Sequence, residues 1–389
     1  MSTPDTVARL LRALDDVCDA VRAQALDAER RAALSEEIVD WLIAHGLFRL
    51  WIPQSYDGFE LTLPEALAIY ETAARIDGSF GWAVMIGAGG GLFAAYLEPG
   101  AAREIYGPRS AVIAGSGAPH GRAERVPGGY RVSGRWRYAS GAPYATTFTA
   151  NCVITTGGEP VRGADGEPLV RAMSFPRADV DIIEAWDTTG MRATASHDFS
   201  VDDVFVPERR TFSVFTDMPR KRGPLYGLPF DLLTELPLAA VALGIASHAL
   251  DAFAALAAAK RPYGSSRMLA EDAVVRAAFA RGRAVWRLAE RGIFDLAESA
   301  WRCAADGRKP TAAELADITA ACAHGVASLR AATEELVALA GMTGVERDSE
   351  LARASRDLAT LAAHFSVGPR RLAQAGATLL QAEPGRPSG

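Results

Sequence analysis

The spacing of Asp357 and His364 is the most chemically pointed in this chain, an imidazole set seven residues beyond a carboxylate. On a helix that spacing returns to the same face. His364 also borders the apolar pair Leu361 and Phe365, so its ring is expected to face inward. Such an imidazole could exchange a proton with a bound hydroxyl or amine near neutral pH, because histidine titrates there without a large shift. A satisfied core histidine is the plainer reading of the same pattern. A second group lies on one face of a period-two run: Tyr130, Val132, Gly134, Trp136, Tyr138 and Ser140. Two aromatic rings and a terminal hydroxyl beside Gly141 suit a flat ligand with a polar edge, though the rings would serve equally as sheet core. Lys260-Arg261 closes a helix and could meet a phosphate, or only complement the helix dipole. Glu235 adds a carboxylate in an otherwise apolar segment.

Other chemistries find no support. The run Gly87-Ala88-Gly89-Gly90-Gly91 lacks the strand-turn-helix context of a dinucleotide loop. Cys18, Cys152, Cys303 and Cys322 show neither CxxC nor Cys/His metal spacing, so no metal site is expected and reduced thiols are. A net charge of -6 argues against nucleic acid as a partner, since phosphate binding needs clustered cations. No targeting segment is expected, and no apolar run is expected to approach the roughly 18 residues that span a bilayer. The expectation is a cytoplasmic protein with no membrane partner.

The elements that must position these residues fall into three blocks. Residues 1–111 read as helical: Thr3 or Asp5 as a cap, Ser35-Glu36-Glu37 opening one helix, and Leu63-Pro64-Glu65 opening another. Residues 112–222 change to period two, with a hairpin at Val126-Pro127-Gly128-Gly129-Tyr130 and strands near 148–155, 172–175, 182–186 and 197–206. This block predicts an antiparallel barrel or sandwich. Residues 223–389 return to helical spacing. Val275-Phe279-Gly282-Trp286, Ile318-Cys322-Gly325-Leu329 and Leu351-Ala354-Leu358-Leu361-Phe365 each trace the seam of a four-helix bundle. The tail from Pro384 to Gly389 is expected to be disordered. The fold class is mainly α with a central β domain.

Three motifs in this order resemble the acyl-CoA dehydrogenase superfamily: Trp136-Arg137-Tyr138-Ala139-Ser140-Gly141, then Trp186-Asp187-Thr188-Thr189-Gly190-Met191-Arg192 leading into Ser196-His197-Asp198, then Arg356-Asp357 with His364. The aromatic-Ala-Ser-Gly form is similar to its group D branch, the two-component flavin-dependent monooxygenases. That branch includes aromatic hydroxylases, dibenzothiophene monooxygenase and sugar nitrososynthases. The resemblance implies reduced flavin (FMN or FAD) from a separate NAD(P)H:flavin reductase, and O2 as co-substrate. One oxygen atom would pass to a small aromatic, amine or aminosugar. It further implies Tyr138 beside the isoalloxazine and Ser140 near its N5. Ser116, Trp136, Trp186 and Ser196 would flank the flavin, and Lys260 or Arg261 would reach the diphosphate of a neighbouring subunit in a homotetramer. His364 and Ser140 would be catalytic, with Trp82, Gly89 and Phe365 on the substrate side. Phe365 stands where most dehydrogenases of the superfamily carry their base. Glu235 is one position from a second base site, so an acyl thioester-oxidising dehydrogenase is the alternative.

Overall fold

The computed structural model describes residues 3–382. The expectations for the 384–389 tail and for a Thr3 side-chain cap lie outside the described residues. Five helices come first: α1 (Thr3–Arg31), α2 (Glu36–His45), α3 (Leu63–Ile76), α4 (Gly78–Gly89) and α5 (Pro99–Tyr106). Their starts follow local chemistry. Ser35 Oγ accepts from Ile38 N–H to open α2, and Gly46 closes that helix at φ 75°, a left-handed value that glycine tolerates without penalty. Thr62 and Glu65 form a reciprocal capping box at α3. Asp77 ends α3 and accepts from Phe80 N–H to begin α4.

α4 is apolar on every side. Its residues are buried except Trp82, Ile86 and Gly89. Those three recur at the i, i+4, i+7 spacing of one helical face. A single stripe of this core helix is therefore left open.

One eight-stranded sheet follows, built from β1 (Ile113–Val126), β2 (Gly129–Ala139), β3 (Thr147–Thr156), β4 (Glu159–Pro160), β5 (Val170–Pro176), β6 (Asp181–Ile183), β7 (His197–Pro207) and β8 (Thr211–Phe212). The strand order is β6-β7-β2-β1-β3-β5-β8, with β4 attached to β3. The wholly antiparallel expectation needs correction, because β1 and β3 run parallel. They are joined through β2, whose hairpin returns the chain across the sheet before β3 begins. The expected strand over 182–186 stops at Ile183, leaving Trp186 in irregular backbone.

The chain then runs through the short α6 (Pro224–Gly227) into α7 (Leu232–Ala259), α8 (Ala273–Ala305), α9 (Ala312–Leu339), α10 (Glu350–Ala362) and α11 (Pro369–Ala382). α7 packs on α8, α9 and α10, and also lies along α3. One apolar core accordingly runs through both helical parts, while the sheet keeps a core of its own around Trp136, Phe148, Phe175 and Phe199. The expectation that no segment is apolar and long enough to cross a bilayer also needs correction. Gly78–Ala95 and Leu232–Ala259 are, by length and composition, yet each is 78% buried in this core. Packing against neighbouring helices accounts for their hydropathy.

Candidate active site

Where the open stripe of α4 meets the end of β2, four polar side chains form a continuous hydrogen-bonded chain. Trp82 Nε1–H donates to Ser140 Oγ at 2.9 Å. Ser140 Oγ lies 2.7 Å from Ser196 Oγ, which lies 2.6 Å from Thr194 Oγ1. Thr194 Oγ1 donates in turn to the Met191 carbonyl at 2.8 Å. Ser140, Ser196 and Thr194 are all buried. Hydroxyls in such a place need partners, and here they satisfy one another.

The backbone that brings them together is unusual on both sides. In β2, Trp136 pairs with Phe199 but Ala139 pairs with His197, so Arg137 and Tyr138 both stand opposite Asp198. That is a β-bulge, and it re-aims side chains. Tyr138 sits at φ 73°, an uncommon value for a non-glycine residue, and is 54% exposed. Its ring meets Trp186 edge-on at 6.0 Å and lies 4.7 Å beneath the Arg137 guanidinium. Trp136 instead points into the sheet core, where it stacks on Phe199 at 5.1 Å with none of its surface exposed. The expectation that Trp136 and Tyr138 share a ligand-facing side is corrected: the bulge breaks the period-two alternation, and Trp136 is core.

On the other side, the loop 188–196 carries Met191 and Ala195 in left-handed backbone. Gly190 packs so closely on α10 that a Cβ there would lie 2.1 Å from the Arg356 carbonyl oxygen. Met191 N–H donates to Asp357 Oδ1 at 2.5 Å, and Trp186 Nε1–H donates to the Met191 carbonyl. Arg356 meanwhile reaches Glu29 at 2.6 Å. The Thr-Thr-Gly-Met and Arg-Asp motifs therefore clamp the sheet to α10. Burial pushes the Asp357 carboxyl upward, reinforced by neighbouring Asp77 and opposed by the Met191 hydrogen bond and Arg353. Asp357 serves this clamp, not His364.

His364 is reached differently from the expectation. α10 ends at Ala362, and His364 is extended, at φ -66° and ψ 137°. Asp357 and His364 are therefore not on one helical face. The physical reason is local: His364 Nδ1 accepts from Ser366 N–H and opens a short turn ahead of Gly368-Pro369, where a helix is disfavoured. The ring nevertheless arrives at the site, edge-on to Trp82 at 6.0 Å. Burial lowers its pKa to about 4, so the imidazole is neutral at working pH. With Nδ1 accepting, its one proton sits on Nε2. The idea that it titrates near neutrality is corrected by this desolvation. Phe365 is also corrected. It lies outside α10 and is 77% exposed, so within this chain it forms no inward wall.

The remaining expected residues divide plainly. Trp82 and Gly89 lie on the open stripe, and a Cβ built on Gly89 meets nothing within 4 Å. Ser196 belongs to the cluster, and Trp186 shares the Met191 carbonyl with its Thr194 end. Ser116 is half-buried in β1 where Gly117–His120 leave register with β3, and it makes none of the cluster's contacts. Lys260 Nζ is committed to Ala340 O at 2.7 Å and Thr343 Oγ1 at 2.8 Å, capping the C-terminal end of α9. Arg261 is exposed beside it. Glu235 is buried and closed off: Thr319 Oγ1 donates to one carboxylate oxygen at 2.8 Å, and Arg371 donates to the other through Nε and Nη2. A carboxylate so held is no free base. Thr194 is the member that sequence reasoning passed over. Its hydroxyl two residues before Ser196, at a strand start, was the available signal.

A flavin fits these residues. Tyr138 and Trp186 offer aromatic edges, and Ser140 accepts only one hydrogen bond from the protein, leaving a lone pair for a ring N–H. Two surface grooves, of about 200 Å³ beside Phe205 and Arg210 and about 510 Å³ beside Arg9 and His45, share no residue with the cluster. The chemistry, not the depth of a groove, marks the site.

Comparison with known proteins agrees. Residues 6–102 match the acyl-CoA dehydrogenase N-terminal domain and 236–369 the acyl-CoA dehydrogenase C-terminal domain. An indole-3-acetate monooxygenase of Pseudomonas putida is 31% identical over 374 residues, covering 95% of this chain and 93% of that protein. A flavin-dependent monooxygenase oxygenase subunit, HsaA of Rhodococcus jostii, is 29% identical over 252 residues, 62% of this chain and 64% of its own. XiaF from Streptomyces sp., solved with FADH2 and glycerol, superposes with a TM-score of 0.89 at 25% identity, covering 99% of this chain and 98% of XiaF. With the hydroxyl cluster, the sheet clamp and the bundle in place, the chain belongs to the acyl-CoA dehydrogenase superfamily and is a flavin-dependent monooxygenase, an oxygenase component that uses reduced flavin and O2.

Proposed function

We propose that this oxygenase oxidises a small, flat, largely apolar molecule, an aromatic or heteroaromatic, held over the Trp82–Ile86–Gly89 stripe. The observation that carries this reading is the stripe itself: one aromatic, one aliphatic and one absent side chain, open on an otherwise buried helix. No charged group among the described residues shares that face. An aminosugar, rich in hydroxyls, would leave most of its polar edge unpaired there. The indole-3-acetate substrate of the Pseudomonas relative supports the same class.

Bound reduced flavin supplies the activation of O2 and the oxygen atom transferred. The chain's residues orient and protect. Ser140 would meet the N5 edge of the flavin and Tyr138 and Trp186 would border the ring, while Trp82 holds Ser140 by its indole N–H. His364 would present its Nε2–H to the substrate, donating a hydrogen bond and taking no second proton. Trp82, Ile86 and the clamp residues exclude water, which strengthens these contacts.

A separate flavin reductase supplies the cofactor, as the relatives designated oxygenase subunit or component imply. The chain further assembles as a homotetramer in the cytoplasm. Exposed Phe365, Tyr263, Met342 and Val345 support an assembly that covers them, with Arg261 free to meet a neighbour's cofactor phosphate. Light scattering tests this, and a fully active monomer overturns it. Single turnover with reduced FMN or FAD and 18O2 tests the reaction. Labelled hydroxylated phenol or indole is expected. Label only in aminosugar products overturns the substrate class, and in a parallel anaerobic mixture begun with oxidised flavin, reduction of that flavin by an acyl-CoA overturns the oxygenase roles.

A further inference from the structure

A hydroxyl group owns one hydrogen, and in this cluster the hydrogens can be counted. The Met191 carbonyl can only accept, so the 2.8 Å contact uses the Thr194 hydrogen. Thr194 has none left for Ser196, 2.6 Å away, so Ser196 must donate to Thr194. Ser196 then has none for Ser140 at 2.7 Å, and Ser140 must donate to Ser196. Trp82 Nε1–H fills one Ser140 lone pair. What remains at Ser140 is one lone pair and no hydrogen. The direction is anchored outside the cluster. Met191 is held in left-handed backbone with its N–H on buried Asp357, which fixes where its carbonyl points.

We infer that Thr194 and Ser196 are positioning residues that turn Ser140 into an obligate acceptor, so that the site discriminates between the two redox forms of flavin. This rests on the reading that Ser140 meets flavin N5. Reduced flavin carries a hydrogen on N5 and donates; oxidised flavin carries a lone pair there and accepts. An acceptor-only Ser140 pairs with the first and opposes the second, leaving two buried lone pairs facing each other. An oxygenase fed by diffusing reduced flavin must draw it from a pool that also holds the oxidised form. The hydroxyl chain performs that selection without a charged residue.

The test is the ratio of dissociation constants for oxidised and reduced flavin, measured on the full chain with FMN and with FAD by anaerobic titration. The midpoint potential of the bound flavin is the second readout. Ser196→Ala and Thr194→Val each release the Ser140 hydrogen to rotate toward N5. The ratio should fall about tenfold, chiefly through tighter oxidised binding, which corresponds to a potential about 30 mV lower for a two-electron couple. Thr194→Ser keeps a hydroxyl and should restore the wild-type ratio. Thermal melts identify any variant that fails to fold, and Thr194→Val, nearly isosteric, stands in if Ser196→Ala does. If both variants weaken the two redox forms equally, or leave the ratio within twofold, the inference is overturned. Ser140→Ala separates it from the reading beneath. Unchanged binding of both forms there removes Ser140 from the flavin site altogether, whereas altered binding with an unmoved ratio in the other variants removes only the directional role.

Discussion

The hydroxyl chain beneath Trp82 and the ion pair beneath α11 are both buried polar clusters, and they are finished differently. Around Glu235 every acceptor is used: Thr319 covers one oxygen, Arg371 the other, and Arg371 extends to Asp231 at 3.2 Å. Burial pushes the Glu235 carboxyl upward while Arg371 opposes it. Such a closed cluster fastens α11 to α7 and α9 and has nothing left to offer a ligand. The chain from Thr194 to Ser140 carries no charge and ends on an unused lone pair. Closed polar clusters hold a fold together, and an open-ended one is where a ligand finishes the pattern.

The largest test breaks the closed cluster. Arg371→Met should leave Glu235 buried without a partner and cost about 3–5 kcal/mol in urea unfolding. Flavin affinity of the folded fraction should stay unchanged, and Glu235→Leu added to it should recover most of the loss. A loss below about 1 kcal/mol would show that the pair fastens nothing.

His364 gives the next largest effect, read through pH. Its pKa is near 6.5 unfolded and about 4 in the fold. Between those values the unfolded chain takes up a proton that the native chain does not. Stability therefore declines as pH falls from 6.5 to 4, by up to about 3 kcal/mol, and this contribution is flat above 6.5. His364→Gln should remove that slope. In the wild type, product formation should show no inflection near pH 6.5. An inflection there that vanishes in His364→Gln would restore a titrating base.

Ser140→Ala should weaken reduced-flavin binding by about 1–3 kcal/mol while moving the melting midpoint little. Equal damage to both quantities would make the cluster structural after all. The smallest effect sharpens the contrast most. Gly89→Ala has space and a helical backbone, so stability should rise by about 0.5–1 kcal/mol. The added methyl stands on the open stripe of α4, so the substrate KM should increase with flavin binding unaffected. An unchanged KM would place the substrate elsewhere.

Much of this was legible beforehand for a physical reason. Helix starts such as Ser35-Glu36-Glu37 and Leu63-Pro64-Glu65, the seams of α8 and α9, and the hairpin at Pro127-Gly128 depend on neighbours a few residues apart. Local signals of that kind survive in one dimension. The Trp-Asp-Thr-Thr-Gly-Met and Arg-Asp motifs were recognisable as a pair, although their contact, Gly190 against Arg356 and Met191 on Asp357, bridges distant parts of the chain.

Residue types and their order thus determined the elements, the three-block succession and the family resemblance, because each rests on spacing along the chain. Tertiary structure alone decided which of those residues face the site. One extra residue in β2 sent Trp136 into the core and Tyr138 outward, since a bulge reverses every side of a period-two pattern. A side-chain acceptor ended α10 early and separated His364 from Asp357. Burial, which no spacing reveals, moved that imidazole out of the neutral range. And the direction of four hydroxyl and indole hydrogens follows only from partners that meet in three dimensions, because a proton's position is set by the acceptor nearest to it and not by the residue that carries it.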